Sequence, residues 1–262
     1  MNTRITPYRF FIFSVVTIVV LTACQPKGDA NTTQSLDTAP TGTQSDTPAD
    51  GPKVLNANLN LDPALAQDAD SLMASEYLYE GLVRRDSSGA PQPAVAESWV
   101  VSDDVLDYVF TLRPNAVFSD GTRITPEIIA DNFNRWFDPL SPLRGNGDYA
   151  TWERNFLGFH GEKDPDNRAK STVDGIQVVD MNTVLVHLNR PVPDLLTLLA
   201  DPAFAILKPS VLADPAYGRR GSTIISSGPY IVSGWTDSEL TLSPNSSYWG
   251  PVPSGDLTFI LQ

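Results

Sequence analysis

Tyr108-Val109-Phe110-Thr111-Leu112-Arg113 leads, after a short spacer, to Val117-Phe118-Ser119-Asp120-Gly121-Thr122 and then to Thr125-Pro126-Glu127. In the first run Tyr108, Phe110 and Leu112 alternate with Val109 and Thr111, which predicts a strand, Asp107 to Leu112, with one apolar face. Ser119-Asp120-Gly121-Thr122 reads as a turn. Thr125-Pro126-Glu127 opens a helix. It places a hydroxyl residue at the cap, Pro where no amide hydrogen is needed, and an acid at the positive end of the helix dipole. Ile129, Phe133, Trp136 and Phe137 then form one apolar stripe, and Asp138-Pro139 stops the helix.

Working outward, short strands and short helices mix along the rest of the body. Downstream, a long and poorly periodic stretch runs to about Ser171 and holds Tyr149, Trp152, Phe156 and Phe159. Loops of that length in compact domains are often functional. Ile176 to Val179 and Val184 to Leu188 read as a hairpin, Asp194 to Leu199 as a short helix, and Tyr230 to Trp235 with Leu240 to Leu242 as a second pair of strands. Leu257 to Leu261 is a last strand. Upstream, Lys53 to Leu59 is an opening strand stopped by Asp62-Pro63. Asp70 to Tyr79 is a helix with Leu72, Met73, Glu76 and Tyr79 at helical spacing, ended by Gly81. No repeat recurs at a fixed period and no parallel βαβ rhythm is sustained, so the expected class is α+β with a mixed sheet.

The front end has a different character. Residues 1–23 carry Arg4 and Arg9, then an apolar run from Phe10 to Val20, the pattern of an export signal. That run is too short to span a bilayer, which needs about 20 residues. Leu21-Thr22-Ala23-Cys24 resembles a bacterial lipobox, in which the thiol is acylated and becomes the new N-terminus after cleavage; a plain secretory signal with an incidental Cys is the alternative. Gln25 to Pro52 is rich in Asp, Thr, Gln, Ser, Pro and Gly, with hardly any large apolar side chain, and reads as a flexible tether. The expected organisation is therefore a signal at 1–23, a lipidated Cys24 with tether over 24–52, and a body over 53–262.

Composition excludes several functions. With 18 Lys+Arg against 31 Asp+Glu among 262 residues, the net charge is −13, and no basic stripe is available to hold nucleic acid. One Cys and two His leave neither an intrachain disulfide nor a four-ligand zinc site. No metal and no cofactor is implied. Ser226-Ser227-Gly228 lacks the preceding Gly of a nucleophile elbow, and Gly145-Asn146-Gly147 lacks the Lys and helix start of a phosphate loop. His187 falls on the strand face opposite Val184, Val186 and Leu188 and is read as solvated, while Trp99, Trp136 and Trp235 are read as core. No acid or base is singled out for catalysis, so the chain is not expected to be an enzyme.

Several stretches, taken together, resemble the family 5 extracellular solute-binding proteins, the oligopeptide-binding receptors of ABC importers. They are Asn60-Leu61-Asp62-Pro63, Tyr79-Glu80-Gly81-Leu82-Val83, and Pro93-Ala94-Val95-Ala96-Glu97-Ser98-Trp99, followed by the strand, turn and helix quoted first. Beyond these stand Val173-Asp174-Gly175-Ile176, Leu188-Asn189-Arg190-Pro191-Val192-Pro193, Ser227-Gly228-Pro229-Tyr230, and Asn245-Ser246-Ser247-Tyr248-Trp249-Gly250. Their order and spacing along the whole body carry the resemblance.

The resemblance implies a periplasmic-binding-protein-like lobe of the type II solute-binding fold, the N-terminal one of two, with the second lobe missing. It implies that short peptides or a similar solute, and ABC permease subunits, are the partners. By position it puts Gln67, Ala69 and Asp70 at the ligand cleft, with Tyr149 and Trp152 beside them and Ser226, Ser227 and Gly228 at the floor. Asp70 either meets a ligand amine or caps its own helix before Ser71. Without the segment that in the family returns to complete the first lobe's sheet, the opening strand and Leu257 to Leu261 are expected to lack a neighbour, leaving an unpaired edge. A one-lobe interaction lipoprotein, or a fragment that no longer transports, is the alternative.

Overall fold

In chain order the elements are β1 (Lys53–Leu55), α1 (Ala69–Leu78), β2 (Val83–Arg85), β3 (Pro91–Pro93), β4 (Ala96–Val101), β5 (Asp107–Leu112), α2 (Pro126–Phe137), α3 (Ala150–Phe156), β6 (Val173–Val178), β7 (Thr183–Leu188), α4 (Leu195–Leu199), β8 (Tyr230–Trp235), β9 (Glu239–Pro244) and β10 (Leu257–Leu261). They come from a computed structural model that describes residues 53–262. The expected signal, Cys24 and the tether lie outside the described residues.

Two sheets organise the body. The first has the order β4-β5-β7-β6, with every neighbouring pair antiparallel. Period-two alternation turns Tyr108, Phe110 and Leu112 of β5, and Val184, Val186 and Leu188 of β7, to one buried face. Helix α2 covers that face with Ile129, Phe133, Trp136 and Phe137, all buried. The second sheet has the order β1-β10-β9-β8 and is mixed, because β1 runs parallel to β10 while the other pairs are antiparallel. Leu55, Leu240, Leu242, Phe259 and Leu261 join Leu59, Leu61, Ala74 and Leu78 in a separate core beneath it. The class is α+β with a mixed sheet, as the pattern predicted.

Three expectations are corrected. First, β1 and β10 do not lack a neighbour: they pair with each other, Val54 opposite Ile260, and β9 flanks β10. The two strands lie at opposite ends of the body's sequence and are joined only by tertiary folding. The opening strand also stops at Leu55, where the Asn56 amide turns away to the Asp70 carboxylate at 2.8 Å. Second, α1 is capped by Asp68, whose carboxylate accepts from the Ser71 amide at 2.8 Å, so Asp70 is not the cap. This helix buries Ser71, Ala74, Ser75 and Leu78, and of the stripe expected from spacing only Tyr79 is buried. Its small hydroxyl face reaches the core because both hydroxyls are engaged. Ser71 Oγ accepts from the Asn60 amide at 2.9 Å, and Ser75 Oγ donates to the Ser71 carbonyl at 2.8 Å. Third, the stretch read as aperiodic contains α3. Seven residues are too few to display a helical period, and the helix is held by packing rather than by propensity. Trp152 packs on Phe156 with ring centroids 4.4 Å apart and the rings tilted by 46°, and meets Phe133 edge-on at 5.2 Å.

The tryptophans read as core divide by depth: Trp136 is buried, while Trp99 and Trp235 pack half-exposed against the margins of the two cores. His187 is half-exposed as expected, with Nδ1 2.5 Å from an Asp107 carboxylate oxygen across the β5–β7 ladder.

One buried carboxylate ties the arm after β9 to the end of α1. The Tyr248 hydroxyl donates to Glu80, which is 8% exposed, and Arg84 stands 3.8 Å away. Burial raises the Glu80 pKa, and the Tyr248 hydrogen bond and the Arg84 charge only partly reverse that. A carboxyl with a raised native pKa binds its proton more tightly when folded, so its contribution is most favourable below the unfolded pKa and is lost as pH rises through the folded one. Glu80→Gln therefore gains stability relative to the parent as pH is raised from about 4 to about 7 in urea titrations, and a difference independent of pH counts against the assignment. In the first core, Phe133 touches Trp136, Phe137 and Trp152. Phe133→Ala is expected to cost about 3–5 kcal/mol by the same titration, and a loss under about 1 kcal/mol would show that the aromatic cluster does not hold α2 and α3 together.

Candidate functional site

The segment between β1 and α1 is built around Asp62. This carboxylate is 2% exposed and Arg135 of α2 is 3% exposed. The guanidinium grips both carboxylate oxygens, Nη1 reaching Oδ1 at 3.0 Å and Nη2 reaching Oδ2, while Nε donates to the Leu143 carbonyl at 3.1 Å. Burial works to lower the Arg135 pKa, but the facing Asp62 charge and its hydrogen bonds outweigh it and leave the value raised. The Asp62 carbonyl accepts from the Leu65 and Ala66 amides, both at 3.0 Å, which closes a turn. Gly218 makes that turn possible from the other side. Its carbonyl takes the Leu61 amide at 2.7 Å, its φ is +82°, and a Cβ there would lie 2.5 Å from the Asp62 nitrogen.

Beyond the turn, Gln67 and Ala69 are exposed and Asp70 is half-buried. All three flank Asp68, the cap at the start of α1. Asp70 has a local role there, its carboxylate accepting from the Asn56 amide, and Asp68 is committed to the cap. Tyr149 and Trp152, expected beside them, are core residues instead, each 1% exposed. The Tyr149 hydroxyl donates to the Arg144 carbonyl at 2.7 Å and Trp152 Nε1 to the Gly158 carbonyl at 3.0 Å, so packing and hydrogen bonding are both complete without a ligand. Position alone, by the family resemblance, sets these aromatics beside the cleft. Phe133, Phe137 and Phe204 claim Trp152 as a packing partner.

Ser226, Ser227 and Gly228 are buried as well, and they form a knot under the end of α1. The Leu78 carbonyl accepts from the Ser227 amide at 3.1 Å and the Gly228 amide at 2.8 Å. Ser227 Oγ accepts from the Glu80 amide and donates to the Ile206 carbonyl, each at 3.0 Å. A Cβ on Gly228 would come within 2.8 Å of the Tyr79 nitrogen, so only glycine lets the two backbones approach. Ser226 exchanges bonds with Ser119, tying the knot to the turn read at Ser119-Asp120-Gly121-Thr122.

Beside this knot lies a cavity of about 540 Å³, with Pro229 in its wall. Its charged lining is of both signs: Glu76, Glu80 and Asp201 against Arg84 and Arg85. The Glu76 pKa is raised, first by burial and then by the Asp201 charge, with Arg85 opposing. Gln67, Ala69 and Asp70 do not line it. The residues implied by sequence thus separate into an exposed turn, two core aromatics and a buried knot. Sequence reasoning missed the Asp62–Arg135 bridge and the mixed-charge cavity. The available signals were Arg135 beside the apolar stripe of α2 and the acid of Tyr79-Glu80-Gly81. Neither reveals its distant partner, Asp62 for Arg135 and Tyr248 for Glu80, although the cationic neighbours Arg84 and Arg85 of Glu80 are close in sequence.

Residues 90–257 match the family model described as bacterial extracellular solute-binding proteins, family 5 Middle. The periplasmic murein peptide-binding protein MppA of Escherichia coli (strain K12) is 30% identical over 195 residues, 72% of this chain and 35% of MppA. The dipeptide-binding protein DppE of Bacillus subtilis (strain 168) is 30% identical over 210 residues, 76% of this chain and 37% of DppE. Among solved structures, an oligopeptide ABC transporter substrate-binding domain from Bacillus anthracis str. Ames aligns with a TM-score of 0.66 and 26% identity, over 80% of this chain and 40% of that one. HbpA2 from Haemophilus parasuis aligns with a TM-score of 0.68 and 25% identity, over 80% and 42%. The chain therefore spans about a third of the length of the curated relatives it matches, and its fold corresponds to a single lobe of such periplasmic binding proteins. Because the family model covers well over half of the chain, from just ahead of β3 to the first residue of β10, the chain belongs to the family 5 bacterial extracellular solute-binding proteins.

Proposed function

We propose that this chain is the ligand-holding lobe of an extracytoplasmic receptor that delivers oligopeptides, or a similar small solute, to the permease of an ABC importer. The observation that carries this reading is the shared architecture: 80% of the chain aligns with substrate-binding proteins of this type, MppA among them, over about 40% of their length. The surface of Gln67, Ala69 and Asp70 supplies the ligand edge. A peptide held there in extended form is gripped chiefly through its main chain, which tolerates many side chains. Tyr149 and Trp152 belong to the core, Ser226 to Gly228 hold the far end of α1, and in this reading none of them touches the solute. No side chain takes a catalytic role. Residues 1–23 act as the export signal, Cys24 carries the lipid, and 24–52 tether the body to the membrane face.

Calorimetric titration of the purified protein with di- to pentapeptides is expected to give saturable binding, and no saturable binding across that panel would overturn the reading of peptides as its solute. Ala69→Trp, a surface change at the first residue of α1, should weaken peptide binding at least tenfold while moving the thermal midpoint by no more than about 2 °C. For the anchor, Cys24→Ser should shift the protein from the membrane fraction to the aqueous one. An unmodified Cys24 in the intact mass of the parent would rule the lipid out.

A further inference from the structure

We infer that Asp62 and Arg135 form a positioning device, a buried two-point latch that sets the ligand-facing turn at Gln67–Ala69 without touching the solute. This rests on the reading of that turn as the ligand edge. Every polar group of Asp62 is committed. Its amide donates to Asn60 Oδ1 at 3.1 Å, its carbonyl takes the Leu65 and Ala66 amides, and its carboxylate is held at both oxygens by Arg135. On the opposite side Arg135 is anchored through Nε to the Leu143 carbonyl, and its guanidinium lies 5.5 Å from the Tyr149 ring centre. The segment after Leu143 closes over the turn. The side chain of Leu65 sits so close to Gly147 that a Cβ there would lie 2.3 Å from a Leu65 methyl. The turn is clamped between α2, the Leu143–Tyr149 segment and Gly218, and the bridge is the point at which the three meet.

Stability alone does not account for a bridge of this kind. Two charges withdrawn from water regain little beyond what an apolar pair of similar volume would supply. An apolar pair has no direction, whereas a bidentate guanidinium fixes the carboxylate plane and through it the orientation of the Asp62 carbonyl. That carbonyl in turn closes the bonds to Leu65 and Ala66, directly ahead of Gln67. A device that orients the turn and a prop that merely holds the core are therefore separable by experiment.

The test replaces both partners at once, Asp62→Leu with Arg135→Met, since removing one alone strands a buried charge and destabilises the fold for reasons unrelated to the ligand. The probe is an equimolar tripeptide library, with the thermal midpoint and amide hydrogen exchange recorded alongside. The expected result is a midpoint equal to or above the parent's, a loss of at least tenfold in affinity, and faster exchange at the Leu65 and Ala66 amides. A double variant that binds like the parent overturns the inference, as does one whose Leu65 and Ala66 exchange is unchanged. If the parent itself binds no tripeptide, the reading of this edge as a tripeptide site fails while the exchange measurement still decides whether the latch orders the turn. Should the double variant not fold, Arg135→Lys keeps the charge but offers one contact in place of two. A folded Arg135→Lys with parental exchange and affinity also overturns the inference.

Discussion

The charge pair between Asp62 and Arg135 joins the two halves of the molecule. Helix α2 has two working sides. Its apolar stripe seals the first sheet, and its polar flank, Asn132 and Arg135, faces the second core. Asn132 clamps Leu207 in both directions, donating to its carbonyl at 2.7 Å and accepting from its amide at 2.9 Å, while Arg135 holds Asp62. Leu61 and Leu207 belong to the second core and Ala64 to the first. The chain therefore crosses between cores at points fixed by hydrogen bonds rather than by packing. Apolar contact tolerates sliding, whereas buried polar groups must be matched in direction and number, and that requirement gives the two cores one relative arrangement.

The second core depends on small residues. Ser71, Ala74 and Ser75 bring α1 close to its neighbours, and Ser227 and Gly228 bring the backbone after residue 225 against Leu78 and Tyr79. Larger side chains in those positions would separate the layers and break the bonds to Leu78, Glu80 and Ile206. The Tyr79 and Tyr217 hydroxyls meet at 2.9 Å in the same interior, and burial raises the pKa of both phenols, so they remain neutral partners. The exposed turn at Gln67–Ala69 and the mixed-charge cavity both lie along α1, at its start and toward its end. Whatever holds α1 in place therefore holds both.

Local signals carried much of this structure. Strand β5, helix α2, the β6–β7 and β8–β9 hairpins and strand β10 follow from period and turn chemistry, because each buries one face of a regular element and the pattern repeats within a few residues. Helix α3 was not legible, being shorter than the window in which a period shows. Tyr149 and Trp152 were misplaced because an aromatic residue has the same sequence appearance in a ligand wall as in a core. The caps of α1 offer a finer case: Asp68 and Asp70 are chemically identical candidates, and the choice turns on the Asn56 amide arriving from β1 to engage Asp70.

From sequence alone came the class of the fold, many of its elements though not β2, β3 or α3, its acidic character, and the residues by which the family is known. These depend on composition and on patterns a few residues long. Tertiary structure alone decided that β1 and β10 are neighbours, that Asp62 finds Arg135, that Ser227 reads the backbone of Glu80, and that Glu76, Glu80 and Asp201 face Arg84 and Arg85 across one cavity. Except for Glu76 and Glu80 with Arg84 and Arg85, which are close in sequence, each of those pairings joins segments distant in the chain. No local propensity encodes a partner that only the folded topology brings within hydrogen-bonding distance.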